Sequence, residues 1–203
     1  MCAKKLFCLL AFSVVTFTAL ADDGGAWLSV QVNKGFKSAY AFARLEHRSY
    51  ENFSKTEAFF AAAGGGYKFT PWLNADVSYE YWNVYKTVTI HKAVLCGNAT
   101  MAREGLAVSV REKLEIAAKP AASSVDFTLR SRLKAQYRIP NSHFAPYAMA
   151  EVFNWSSWIR SLYYAGTEIS FGKHSVLDIF YLYHVPAGAE PVHTAGVGYF
   201  FNF

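Results

Sequence analysis

Between residues 125 and 139 the chain alternates without a break. Val125, Phe127, Leu129, Ser131, Leu133, Ala135, Tyr137 and Ile139 occupy one set of positions; Asp126, Thr128, Arg130, Arg132, Lys134, Gln136 and Arg138 occupy the other. A side-chain period of two belongs to a β-strand, here with one face suited to an apolar medium and the other to a polar one. Its length narrows the choice. Strands of soluble proteins average about 5 to 6 residues, whereas a tilted strand that crosses a bilayer needs roughly 9 to 11.

The same pattern returns in Leu73, Ala75, Val77, Tyr79 and Tyr81 against Asn74, Asp76, Ser78, Glu80 and Trp82, and in Leu177, Ile179, Tyr181 and Tyr183 against Asp178 and His184. Weaker versions cover 27 to 34, 38 to 48, 57 to 69, 90 to 102, 106 to 117, 144 to 154 and 158 to 171, and a last one starts at 192. That makes eleven candidate segments. Bacterial single-chain barrels have an even number of strands, so the expectation is a closed antiparallel transmembrane β-barrel of 10 to 12 strands with both termini on the periplasmic side. Residues 85 to 103 alternate poorly; either they form one long loop, giving ten strands, or a short twelfth strand lies elsewhere. Tight connections at Thr70-Pro71, Arg103-Glu104-Gly105, Pro140-Asn141 and Gly172-Lys173 are expected at the periplasmic end. Longer ones, Ser49 to Thr56, Ala117 to Ser124 and Pro186 to Pro191, are expected outside.

Both ends of the chain point to the same compartment. Lys4-Lys5, the uncharged apolar stretch Leu6 to Leu20 and the Ala19-Leu20-Ala21 site read as a cleaved secretory signal over residues 1–21, leaving 22–203 as one barrel domain. About fifteen apolar residues fall short of the roughly 20 a membrane helix needs. Cys8 lacks the small residues expected before a lipidated cysteine, and once Cys2 and Cys8 leave with the signal, Cys96 is the sole thiol, so no intrachain disulfide forms. At the other end Ala195, Val197, Tyr199, Phe201 and Phe203 are apolar at period two. This ending resembles the closing strand of bacterial outer-membrane barrels, a resemblance that implies recognition of Phe203 by the barrel-assembly machinery. Aromatic residues cluster at the strand ends, Tyr67, Phe69, Trp72, Tyr137, Phe144, Phe171 and Phe203 at one rim and Tyr81, Tyr85, Trp155, Trp158 and Tyr183 at the other. Amphipathic rings prefer the headgroup layer.

If the apolar face meets outer-membrane lipid, the lumen receives Arg44, Arg48, Arg111, Lys113, Arg130, Arg132, Lys134, Arg138 and Arg160 with Glu46, Asp76, Glu80, Glu115, Asp126, Glu151, Glu168 and Asp178. A barrel of ten to twelve strands is too narrow for an open pore. Two readings follow: an interior ion-pair network that neutralises buried charge, or a narrow small-solute path lined by the arginines. In particular Arg130, Arg132, Lys134 and Arg138 are expected to pair with acids such as Glu151 and Glu168. The bases are spread along the chain and form no patch, which argues against a nucleic-acid partner.

Catalytic chemistry finds little support. Ser142-His143 and His174-Ser175 fall at turns, with no acid placed to orient either imidazole. His184 and His193 flank one loop and offer two metal ligands at most, where a stable zinc site takes three or four. Gly64-Gly65-Gly66 lacks the Gly-Lys-Ser/Thr of a phosphate loop and reads as a bend or a close approach in a curved sheet. Asn98-Ala99-Thr100 matches a glycosylation sequon and is given no role. No catalytic, cofactor-binding or metal-binding residue is assigned, no cofactor is expected, and the oligomeric state stays open. An outer-membrane lipid- or peptide-modifying enzyme, or a secreted soluble carrier with its apolar residues turned inward, are the readings from other classes.

The order of several short motifs resembles a family of bacterial outer-membrane proteins, domain of unknown function 2490. They are Trp27, Gly66-Tyr67-Lys68-Phe69, Pro71-Trp72-Leu73, Tyr79-Glu80-Tyr81, His91-Lys92, Arg130-x-Arg132, Pro146-Tyr147 with Glu151, and Gly166 to Ser170 followed by Asp178-x-x-Tyr181. Lys92 stands where the family more often has arginine. The resemblance implies a β-barrel and carries no activity or ligand.

Overall fold

In the computed structural model the chain is described over residues 24–51, 54–155 and 157–203, so the expected signal segment lies outside the described residues. Eleven strands are formed there: β1 (Gly25–Phe36), β2 (Ala39–Tyr50), β3 (Lys55–Lys68), β4 (Leu73–Val84), β5 (Val88–Arg103), β6 (Leu106–Lys119), β7 (Ser124–Tyr137), β8 (Phe144–Trp155), β9 (Ser157–Phe171), β10 (Ser175–Pro186) and β11 (Val192–Asn202). Each pairs with the next, and β11 returns to β1, so the sheet closes on itself. Closure leaves no exposed sheet edge.

The odd strand number has a geometric consequence. Consecutive strands run antiparallel, so the first and the eleventh point the same way and their seam is parallel, from Gly25↔Thr194 to Asn33↔Asn202. The two termini therefore sit at opposite ends of the barrel, not on one side as an even count would require. At the end that carries the C-terminus the seam is fastened by Phe203 N–H donating to Asn33 O at 2.9 Å and by Asn33 Nδ2 donating to Asn202 Oδ1 at 3.0 Å.

Val88–Arg103 is no loop. It is the longest strand, sixteen residues, paired with β4 from Leu73↔Ala99 to Val84↔Val88 and with β6 from His91↔Ala118 to Arg103↔Leu106. Its alternation is weak because three of its inward positions, Ile90, Val94 and Cys96, are as apolar as its outward ones. Ile90 packs against the cluster of Ala58, Phe60, Ala62 and Trp82, and Val94 and Cys96 are buried.

The connections are short at both ends. At the end bearing Phe203 they include Glu104-Gly105, where φ values of 50° and 87° are the left-handed pair that a two-residue hairpin turn requires. At the opposite end they are Glu51–Ser54, Tyr85–Thr87, Pro120–Ser123 and 187–191. Three long connections were expected there; in the first two half of the residues extend the strands, and the third is shortened only by Pro186.

The apolar positions face outward. Leu28, Val30, Leu45, Val77, Tyr79, Leu95, Val110 and Leu133 are all exposed on the outer wall, and the rim aromatics Tyr67, Phe69, Trp72, Phe144, Tyr85, Trp155 and Trp158 are exposed at its two ends. This is the inverse of a soluble carrier. Ser131, the one polar residue on the apolar side of β7, donates to the carboxylate of Glu112 at 2.7 Å across the β6–β7 pair. A single acid on the outer wall thus explains the single interruption.

The glycine run of β3 makes room for rings. A Cβ on Gly64 would lie 2.5 Å from the carbonyl oxygen of Val77 and 2.7 Å from the ring of Phe42, and one on Gly66 would lie 2.4 Å from the ring of Tyr40. On the outer wall Gly97 meets nothing within 4 Å. Gly64→Ala is accordingly expected to destabilise the barrel by about 1–3 kcal/mol through overpacking, and Gly97→Ala by no more than about 0.5 kcal/mol. Thermal unfolding of the two purified variants, followed by circular dichroism, measures the difference.

Candidate functional site: the lumen

Alternation also decides where the charges go. On β6, Arg111, Lys113 and Glu115 follow at steps of two, as do Arg130, Arg132 and Lys134 on β7, so each strand sends three charged side chains to one face. The pairings Arg111↔Arg132 and Arg132↔Glu151 set them side by side around the wall.

Glu115, 3 % exposed, is the hub. It accepts from Lys92 at 2.7 Å, Lys113 at 3.1 Å and Arg130 Nη1 at 2.6 Å. Arg130 reaches Glu151 through Nη2 at 2.8 Å, and the other oxygen of Glu151 accepts from Arg111. Lys113 also holds Glu80 at 2.7 Å, whose second oxygen accepts from Trp82 Nε1 at 2.9 Å. One network thus spans β4 to β8. Separately, Glu46 is held by Arg44 and by Arg48 Nε, Lys134 pairs with Glu168 at 2.6 Å, and Asp76 and Asp178 accept from the phenols of Tyr40 and Tyr147.

Two residues of the expected set are not in the lumen. Arg138 lies past the end of β7, exposed at a turn where its N–H donates to Gly105 O. Asp126 is exposed and pairs with Lys119 because β8 pairs with β7 only from Leu129 onward, leaving Asp126 above the wall. Lys92 takes a place that sequence reasoning did not give it, since β5 alternates poorly. Glu57, which the expected set also lacked, lines the lumen at the end that carries the 187–191 connection, so among the described residues the lumen holds nine bases and eight acids. Of the three bases of β7, Arg130 and Lys134 pair with Glu151 and Glu168 as expected; Arg132 forms no ion pair among the described residues.

The remaining space is divided. A cavity of about 390 Å³ lies beside the charged belt, and one of about 240 Å³ lies toward the end that carries the 187–191 connection. Trp27, Arg48, Trp82 and Arg130 line both and form the partition between them. The Arg48 guanidinium lies 3.7 Å from the Trp27 ring centroid and 4.7 Å from that of Trp82. Such cation–π contacts hold the cation across the bore. The smaller cavity also receives Arg160 and His184, whose Nε and Nε2 atoms are buried without a partner among the described residues.

The candidates for catalysis and metal binding are scattered. Ser142 Oγ accepts from Phe144 N–H, a turn contact, and His174 Nδ1 lies 2.6 Å from Asn202 O while Ser175 meets the phenol of Tyr199. His184 points into the lumen and His193 outward to Tyr181, so the two stand on opposite sides of the wall. Among the described residues no group of three or more His, Cys, Asp or Glu side chains is placed to hold a metal ion.

Removing the carboxylate of Glu151, 2 % exposed, strands Arg111 and Arg130. Breaking a buried pair from one side costs about 3–5 kcal/mol. Glu151→Ala is expected to lower the unfolding midpoint in proportion, and Glu190→Ala, on an exposed connection, to leave it within about 0.5 kcal/mol. Chemical denaturation of both variants decides the comparison.

Comparison with curated proteins gives no match. Among solved structures, a NanC porin in a rhombohedral crystal form is similar in fold, with a TM-score of 0.51 and 13% sequence identity, covering 79% of this chain and 85% of that one. At that identity the likeness concerns the barrel architecture alone. The family described as "Protein of unknown function (DUF2490)" matches residues 24–191, and the chain belongs to that family.

Proposed function

We propose that residues 22–203, released from a signal over 1–21, form an outer-membrane β-barrel that gives small solutes a narrow path with a preference for anions. The membrane location is supported by the inverted wall: large apolar residues outside, charges inside, and aromatic rings at both rims. A contiguous apolar surface of that extent has no counterpart on a soluble monomer. The observation that carries the solute reading is that two lumen bases, Arg132 and Arg160, form no ion pair among the described residues and each lines a cavity. The ion-pair belt that links neighbouring strands along the wall favours a second reading, a structural barrel that conducts nothing. Single-channel recording of the reconstituted protein in a salt gradient separates them. Small discrete steps with an anion-directed reversal potential are expected, and a silent bilayer would leave the structural role.

Insertion is proposed to depend on β11, read by the barrel-assembly machinery through Phe203. Its ring packs edge-on to Phe201 at 4.7 Å, with Lys34 Nζ 5.6 Å from the centroid. Phe203→Asp is expected to reduce the heat-modifiable, membrane-inserted form strongly and to expose the chain to proteolysis. Wild-type insertion of this variant would refute the role given to the ending.

A further inference from the structure

We infer that Arg132 anchors an oxyanion-binding site in the larger lumen cavity, for a small solute bearing a carboxylate or a phosphate. The inference deepens the permeation reading and rests on it only for the solute's route. Its basis is the accounting around one side chain. Arg132 has Arg111 and Glu151 as cross-strand neighbours. Both oxygens of Glu151 are already taken, one by Arg111 and one by Arg130. Lys134, two residues along, is engaged with Glu168. Among the described residues Arg132 therefore forms no ion pair, and its Nε is buried without a partner.

A cation withdrawn from bulk water, whose neighbouring carboxylate is already bonded to two other arginines, is incompletely compensated, and that is costly. An anion taken from solution relieves that cost, and the planar guanidinium offers two parallel N–H donors that fit a carboxylate or phosphate edge. The surroundings suit the same ligand. Seven bases, Arg132 among them, line the cavity against five acids, four of which are held in ion pairs with those bases, and about 390 Å³ lies within the usual range of small-ligand pockets. Arg160 is the other lumen base without an ion pair, but it faces the smaller cavity and its guanidinium lies over the Phe153 ring at 4.2 Å, sharing that ring with Arg130. Arg132 has no such ring.

The test is the thermal unfolding midpoint of the purified barrel in sodium phosphate, sodium acetate and sodium chloride at matched ionic strength, since a ligand bound to the folded state raises the midpoint. Phosphate, acetate or both should raise it above chloride, the more effective salt identifying which oxyanion the site takes. In Arg132→Gln the apparent affinity should fall about tenfold or more, the scale of a lost charged hydrogen bond, while Arg103→Gln, at the exposed end of β5, should respond as wild type. Arg132→Lys keeps the charge without the fork and should respond more weakly than wild type. If the glutamine variant does not fold, the lysine variant decides. No response above chloride in the wild type, or a full response in whichever variant decides, overturns the site. Conduction is not needed for this measurement. A silent barrel with an Arg132-dependent shift refutes permeation and keeps the site, and a conducting barrel without the shift does the reverse.

Discussion

A wall one residue thick can satisfy its backbone only by pairing each strand on both sides, and here that is achieved by closing eleven strands into a ring. The parallel seam between β1 and β11 completes the circuit. Parallel pairing is slightly weaker per residue than antiparallel, and at the end bearing Phe203 the seam is supplemented by the Asn33–Asn202 side-chain bond and the Phe203 N–H. Every other feature follows from closure. With the backbone fully engaged, side chains have two destinations, and the strands fill one with apolar groups and the other with charge.

That division makes the lumen an electrostatic problem. Carboxylates such as Glu115, Glu151 and Glu80 are each held by two or three donors drawn from different strands, so the network also ties neighbouring strands together along the arc from β4 to β8. The same economy leaves Arg132 over, because its nearest carboxylate serves two other arginines. The stability of the wall and the chemistry of the lumen are therefore set by the same side chains.

Aromatic residues divide by location. Most of those at the rims are exposed on the outer wall, with Tyr85 at the mouth of the smaller cavity, whereas Trp27, Trp82, Phe60 and Phe153 line the lumen and carry the guanidinium or ammonium groups of Arg44, Arg48, Lys92, Arg130 and Arg160. Large rings lie flat over a neighbouring strand only where its paired position is small, which is the part played by Gly64 and Gly66 for Phe42 and Tyr40. The partition at Arg48 is thus built from rings and cations together.

Period-two alternation by itself determined the strands, the barrel and the side of the wall for nearly every charge, because each is a local property of a residue and its neighbours two positions away. It faltered at β5, where apolar inward positions erased the contrast between faces, and at Arg138 and Asp126, which keep the phase but lie beyond the wall. What only the tertiary structure decided is non-local. The strand count fixed the parallel seam and the opposed termini. Register around the ring fixed which arginines reach Glu151, and so which one remains unpaired. His184 and His193, close in sequence, were parted by the wall itself. Pairing partners and the space left between them depend on how eleven strands meet around a ring, and no single segment encodes that.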